Sequence, residues 1–143
     1  MDLRQIVYGI LIWGVFIYSL RRGSIDHRLA AIGIIVMAYL SLFVRIITHS
    51  AYEGVQLSTL SVDSGFLLLL MFIALRSDRF WPLWMAAMQC LVVLAHLAPL
   101  VPHMVPWGYW RAVTIWSWPM LGLLGLAIHN HHREQSINAP KNG

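Results

Sequence analysis

Three ionisable side chains lie inside stretches of the sequence that are otherwise apolar. They are Arg45, Asp63 and His96. A charged group at the centre of a lipid bilayer costs about 3 kcal/mol or more, so such residues usually pair with one another or serve a function. A carboxyl group, a guanidinium and an imidazole together could form an ion pair, bind a small solute or relay a proton.

Polar neighbours at helical spacing extend this set. Residues three or four apart share one face of a helix, which places His49 on the same stripe as Arg45. Gln89 precedes His96 by two helical turns and faces the same way. We therefore predict an outward-facing intramembrane polar pocket, and the expected members are Arg45, Asp63, His96, His49 and Gln89.

The same residues also fit purely structural roles. An ion pair between Arg45 and Asp63 would lower the cost of both charges and hold two helices together. Alternatively, Arg45 could extend its guanidinium to the lipid headgroups. His96 could donate a hydrogen bond to a carbonyl group freed by Pro99. A weaker alternative is a b-type haem held between His49 and His96, although nothing in their spacing requires it.

Five apolar segments carry these residues, and each approaches the roughly 20 residues that a helix needs to cross the hydrocarbon of a bilayer. Hydrophobic residues make up 59% of the chain and charged residues 11%. A typical soluble domain has about 25% charged residues. We therefore predict an all-α integral membrane protein, an antiparallel up-and-down bundle of five transmembrane helices. It forms a single domain over residues 1–128, followed by a polar cytoplasmic tail over 129–143. The predicted helices cover residues 5–20, 29–47, 57–75, 80–101 and 112–128.

The basic residues between these segments predict the orientation. The connection over 21–28 carries three arginines and the connection over 76–79 carries two, whereas 48–56 carries no base. Cytoplasmic loops are enriched in Lys and Arg. We therefore expect the N-terminus outside and the C-terminus in the cytoplasm, with a bacterial cytoplasmic (inner) membrane as the location.

Glycines in the first and last segments predict where helices approach closely. In membranes, small residues allow two helix backbones to pack together. Gly9 and Gly14 in the first segment and Gly122 and Gly125 in the last are the expected positions.

Motifs of catalysis are absent from the sequence. It contains no HExxH, GxSxG or Walker sequence and no carboxylate cluster for a metal pair. Its single cysteine, Cys90, cannot form an intrachain disulfide. The arginines form no run of the kind that binds nucleic acid. We expect neither an enzyme nor a metal site.

These observations favour a non-catalytic function. The leading hypothesis is an accessory or assembly subunit that packs in the lipid bilayer against a larger membrane-protein complex. The alternative is a carrier of protons or small solutes that uses the Arg45, Asp63 and His96 pocket. A third hypothesis is a subunit that binds haem b or another cofactor through His49 and His96.

Overall fold

The fold is all-α, as predicted. The computed structural model describes residues 3–48, 57–97 and 115–139, and their regular structure consists of five helices. These are α1 (Leu3–Arg22), α2 (Ile25–Thr48), α3 (Leu57–Arg76), α4 (Trp81–Ala95) and α5 (Ser117–Asn138).

Three of these helices are long and apolar enough to cross a membrane. They are α1, the Ile25–Val44 part of α2, and α3. Many large apolar side chains point outward; Leu75, for example, is 86% exposed. Soluble proteins rarely expose apolar patches of this extent, so lipid contact explains the surface.

Helices that follow one another in the chain pack together, and the first helix also packs against the last. α3 packs against α4 and α2, α1 packs against α5 and α2, and α5 also contacts α4 and α2. This arrangement brings the first and last of the five helices together. The buried apolar core that they share includes Ala30, Ile34, Leu70, Met85, Leu124 and Ile128.

Contacts between helix ends place most of the arginines together. Arg22, in the last turn of α1, lies beside His132 of α5. Arg79, between α3 and α4, forms an ion pair with Glu134 of α5 at 2.7 Å. We call this part of the bundle the basic end; its arginines are Arg21, Arg22, Arg28, Arg76 and Arg79. α3 runs toward the basic end, so its first turns lie at the opposite end.

The last helix extends further than predicted. The predicted end of the last helix at residue 128 is too early, because α5 is helical to Asn138. The polar cytoplasmic tail over 129–143 stays a prediction. The apolar run marks the part of a helix suited to lipid, but nothing between Ile128 and Ala139 breaks a helix. Contacts with Arg22 and Arg79 then hold the polar part of α5 on the bundle.

The bounds of the other helices also differ from the predicted bounds, mainly where a helix ends in polar sequence. Helices α1 and α2 absorb most of the predicted 21–28 loop, leaving only Gly23 and Ser24 between them. The prediction of one helix over 80–101 holds as far as Ala95, with a turn through Leu97. The predicted ends of that helix at 98–101 and of the next at 112–114 lie outside the described residues.

The close approach of helices occurs at a different glycine from those predicted. Within the described part of the chain, a Cβ atom at Gly9, Gly14, Gly122 or Gly125 would meet nothing within 4 Å. At Gly33 of α2, a Cβ atom would lie 2.7 Å from both Phe66 and Leu69 of α3. The tight contact is therefore between α2 and α3.

This contact yields a prediction for Gly33→Ala. The added methyl group must displace two side chains of α3, so we expect a loss of about 1–3 kcal/mol in the free energy of unfolding. The matched control is Gly65→Ala on α3, where a Cβ atom meets nothing within 4 Å. That change should be neutral or stabilise by about 0.5–1 kcal/mol, because alanine favours helix. Thermal unfolding in detergent measures both, and equal stability of the two variants would contradict the α2–α3 contact.

Candidate functional site

A buried polar cluster joins α3 and α4 at the end of the bundle opposite the basic end. Asp63 lies in the second turn of α3, on a buried stripe with Thr59, Phe66 and Leu70. Gln89 lies in α4 and His96 caps its C-terminus. The last turns of α4 lie beside the first turns of α3, so the two polar regions meet. We call Asp63, Gln89 and His96 the buried polar cluster.

Asp63 is the centre of this cluster. Its Oδ2 lies 2.6 Å from Nε2 of His96, which donates the hydrogen bond. Gln89 donates from Nε2 to Oδ1 of Asp63 at 3.2 Å and to the backbone oxygen of Asp63 at 3.1 Å. The same amide nitrogen lies 3.9 Å from the sulfur of Met37 on α2. One glutamine therefore binds both the side chain and the backbone of Asp63.

Burial makes these hydrogen bonds strong and their loss expensive. Asp63 is 5% exposed, and Gln89 and His96 are each 1% exposed. A buried carboxylate needs partners within the protein because water does not reach it. Hydrogen bonds to an ionised group stabilise more than those between neutral groups, and a low dielectric strengthens them further.

The geometry of the cluster allows two kinds of chemistry. A proton can be shared or passed between the imidazole and the carboxylate, because their atoms are already within hydrogen-bond distance. Equally, the cluster can fasten α3 to α4, since each helix supplies groups that the other satisfies. Both uses depend on the same three side chains.

The structure brings together three of the five residues predicted for the polar pocket. Asp63, Gln89 and His96 are in contact. Arg45 belongs to α2, but its side chain is not among those described, and His49 lies outside the described residues. The Arg45–Asp63 ion pair therefore stays a prediction.

His96 already has a hydrogen-bond partner, which counts against the haem hypothesis. Its Nε2 atom, a nitrogen that could bind a haem iron, already contacts Asp63. A haem at this position would have to replace that hydrogen bond. Across the three described segments, no three His, Cys, Asp or Glu residues are grouped so as to hold a metal ion.

Sequence reasoning missed a second polar group, at the basic end. His27 is 2% exposed, and its ring stacks on Trp81 with a centroid separation of 4.7 Å. His131 of α5 lies 5.4 Å from the same ring. His27 belongs to a basic connection in the sequence, which is typical of a surface residue. Its spacing of seven residues from the buried Ile34 nevertheless places both on one face of α2.

No protein-family model, curated protein or solved structure matches this chain. Its class therefore rests on its own fold and chemistry. It is a helical bundle with candidate transmembrane helices and a buried cluster of polar side chains.

The buried polar cluster yields a prediction for Gln89→Met. Methionine keeps the length and approximate bulk of the side chain but removes both hydrogen bonds to Asp63. We expect a loss of about 1–3 kcal/mol in the free energy of unfolding, because Asp63 is buried and loses a donor.

The control makes the same chemical change at an exposed position. Gln5→Met on α1 should change stability by no more than about 0.5 kcal/mol. Thermal or chemical unfolding in detergent compares the two variants. A loss at position 89 no larger than that at position 5 would show that the amide of Gln89 contributes nothing to the link between α3 and α4.

Proposed function

We propose that this protein is a non-catalytic accessory or assembly subunit of a larger membrane complex. The supporting observation is the placement of its buried polar side chains. Among the residues that the structure describes, they fall into two groups at opposite ends of the bundle, with apolar side chains between them. Thr59, Asp63, Gln89 and His96 form one group, and Ser19 and His27 form the other.

The apolar layer between the two groups is thick. Gln89 and Trp81, which contacts His27, are separated by about 12 Å along α4 at 1.5 Å per residue. The side chains in this layer include Leu70 and Ile73 of α3 and Met85 of α4, all at most 1% exposed. Proton transfer proceeds between groups within hydrogen-bond reach, directly or through one water. The described interior thus favours a structural use of the buried polar cluster over a relay.

The outer surface of α1 supports lateral association with another protein. One face of this helix is open and shallow, and it carries Gln5, Gly9, Trp13 and Gly14. No atom of the described residues lies within 4 Å of where a Cβ atom would stand at either glycine. Helices in membranes associate through close packing at small residues, since lipid is as apolar as the helices themselves. A helix of a larger complex could pack there.

The proposal includes an orientation. Five membrane spans, with the basic end in the cytoplasm, the N-terminus outside and the C-terminus inside, agree with the positive-inside rule. The grouping of the basic-end arginines on one side of the bundle supports it. A bacterial cytoplasmic membrane is the location that fits this arrangement.

Cysteine labelling tests this orientation. In a Cys90→Ala background, Glu53→Cys should react with a membrane-impermeant maleimide added outside intact cells, and Arg76→Cys should react only after the membrane is opened. The reason is that the two positions flank opposite ends of α3. Labelling of both positions from the same side would contradict the five-span orientation.

A second candidate function is proton or small-solute transport. The observation that favours it is the 2.6 Å contact between His96 and Asp63, both buried, because a carboxylate and an imidazole in a membrane are the usual parts of a proton relay. In that case His96 must gain and lose a proton during each cycle.

The variant His96→Gln separates the two functions. Glutamine can hydrogen-bond to Asp63 but does not take up a proton near neutral pH. For an accessory subunit, we expect the variant to co-purify from native membranes with the same partners as the parent protein, identified by mass spectrometry.

A transport assay completes this test. Liposomes that contain the purified parent protein and a trapped pH dye should acidify no faster than empty liposomes when a membrane potential is imposed. Proton uptake that His96→Gln abolishes would overturn the accessory-subunit proposal and establish transport. Purification from native membranes as a lone monomer would also count against it.

A further inference from the structure

The polar part of α5 contacts the basic end in three places, and two of these contacts involve histidines of α5. We call residues His129–Asn138 the α5 extension. His132 contacts Arg22 of α1, His131 faces His27 of α2, and Glu134 pairs with Arg79. These contacts tie the α5 extension to three other parts of the bundle.

The contact between Arg22 and His132 requires a neutral imidazole. Nη1 of Arg22 lies within hydrogen-bond distance of both ring nitrogens of His132. A guanidinium can only donate hydrogen bonds, so the ring nitrogen that receives one must carry no proton. A doubly protonated His132 would have no acceptor and would place a second cation against Arg22. Protonation therefore replaces an attraction with a repulsion.

His27 has the same requirement. Nδ1 accepts hydrogen bonds from the backbone N–H of Ser24 at 3.2 Å and from its hydroxyl group at 2.7 Å. Because a backbone N–H cannot accept in return, Nδ1 must be unprotonated. The ring lies beside both Trp81 and His131, at centroid distances of 4.7 and 5.4 Å. A charge on His131 would thus act directly on a buried ring that is held neutral.

The surrounding charges increase the effect of an added proton. Arginines outnumber acids two to one among the groups of this region, and one of the acids, Glu134, is already paired with Arg79. The arginines are Arg21 and Arg22 of α1, Arg28 of α2, Arg76 and Arg79 beside α4, and Arg133 of α5; the acids are Asp26, Asp78 and Glu134. His129 is exposed on the α5 extension.

We propose that the α5 extension is a pH-sensitive latch: it lies on the basic end while His131 and His132 are neutral and is released when they are protonated. Histidine is the side chain whose ordinary pKa lies between about pH 5 and 8. The released state of the latch frees Arg22 to bind other groups. The latch is independent of whether the protein is a subunit or a carrier.

A spin label on the α5 extension tests the latch. Ile137 is 69% exposed and lies near the end of α5. We place the label at Ile137→Cys in a Cys90→Ala background and reconstitute the protein in lipid nanodiscs, where both faces meet the solvent. Between about pH 8 and about pH 5, we expect the ratio of mobile to immobile label to increase about fivefold, a modest value for coupling between ligand binding and a conformational change.

Two variants and one control test whether the charge on His132 causes the pH response. His132→Asn keeps an oxygen that can accept from Arg22 but takes up no proton, so it should remove most of the pH response. Arg22→Gln removes the cation that repels the charged imidazole and should do the same if His132→Asn does not fold. His129→Asn makes the matched change at an exposed histidine on the same helix and should keep the full response.

The outcomes are distinct. A pH response that His132→Asn or Arg22→Gln weakens and His129→Asn preserves supports the latch. Label mobility that is the same at both pH values overturns it. A response that all three variants weaken equally, or that none weakens, also overturns it, because the charge on His132 would then have no specific part.

Discussion

A carboxylate buried between apolar helices must find its hydrogen-bond partners within the protein, and Asp63 determines much of the structure through this requirement. Its two oxygens receive hydrogen bonds from His96 and Gln89, two helical turns apart on α4. Sliding α4 along α3 by one helical turn, about 5.4 Å, would break both hydrogen bonds at once. The apolar residues of these helices could pack in several registers, because lipid and a neighbouring helix suit an apolar side chain about equally well. The buried polar cluster selects one register and so places the apolar residues that follow, including Leu70 and Met85 of the buried core.

The sequence predicts the parts of this structure that depend on composition and periodicity. Apolar runs locate the helices, and the spacing of Gln89 and His96 puts both on one face of α4. The sequence does not predict the length of α5, because the predicted helices were bounded by the apolar runs that suit lipid. A helix continues into polar sequence until a residue breaks it. Nor does the sequence predict the approach at Gly33, since a glycine in a helix has the same local sequence signature whether its face meets a neighbour or open space. Gly9 and Gly33 differ only in what packs against them.

The candidate site, too, is predictable from the sequence only in part. Asp63 and His96 are visible as ionisable residues in apolar surroundings, but their pairing depends on how α3 and α4 lie against each other. His27 is harder to recognise, because three arginines in the adjoining connection make the region look solvated. Three elements meet there: α2 carries the ring, Trp81 stacks on it, and His131 of α5 lies beside it. The spacing from Ile34 places His27 on the buried face of α2, but no local sequence pattern shows that Trp81 and His131 meet it there, since the three residues are far apart in the chain.

The contact between α1 and α5 has a consequence for biosynthesis. α1 packs against α5 as well as against α2, yet α2, α3 and α4 all leave the ribosome between α1 and α5. During insertion, the face of α1 that finally meets α5, which includes Tyr8, must therefore stay in lipid or against the insertion machinery. Non-local contacts of this kind form late, after the chain between them has been arranged. Once α5 is in place, it completes the environment of both α1 and His27.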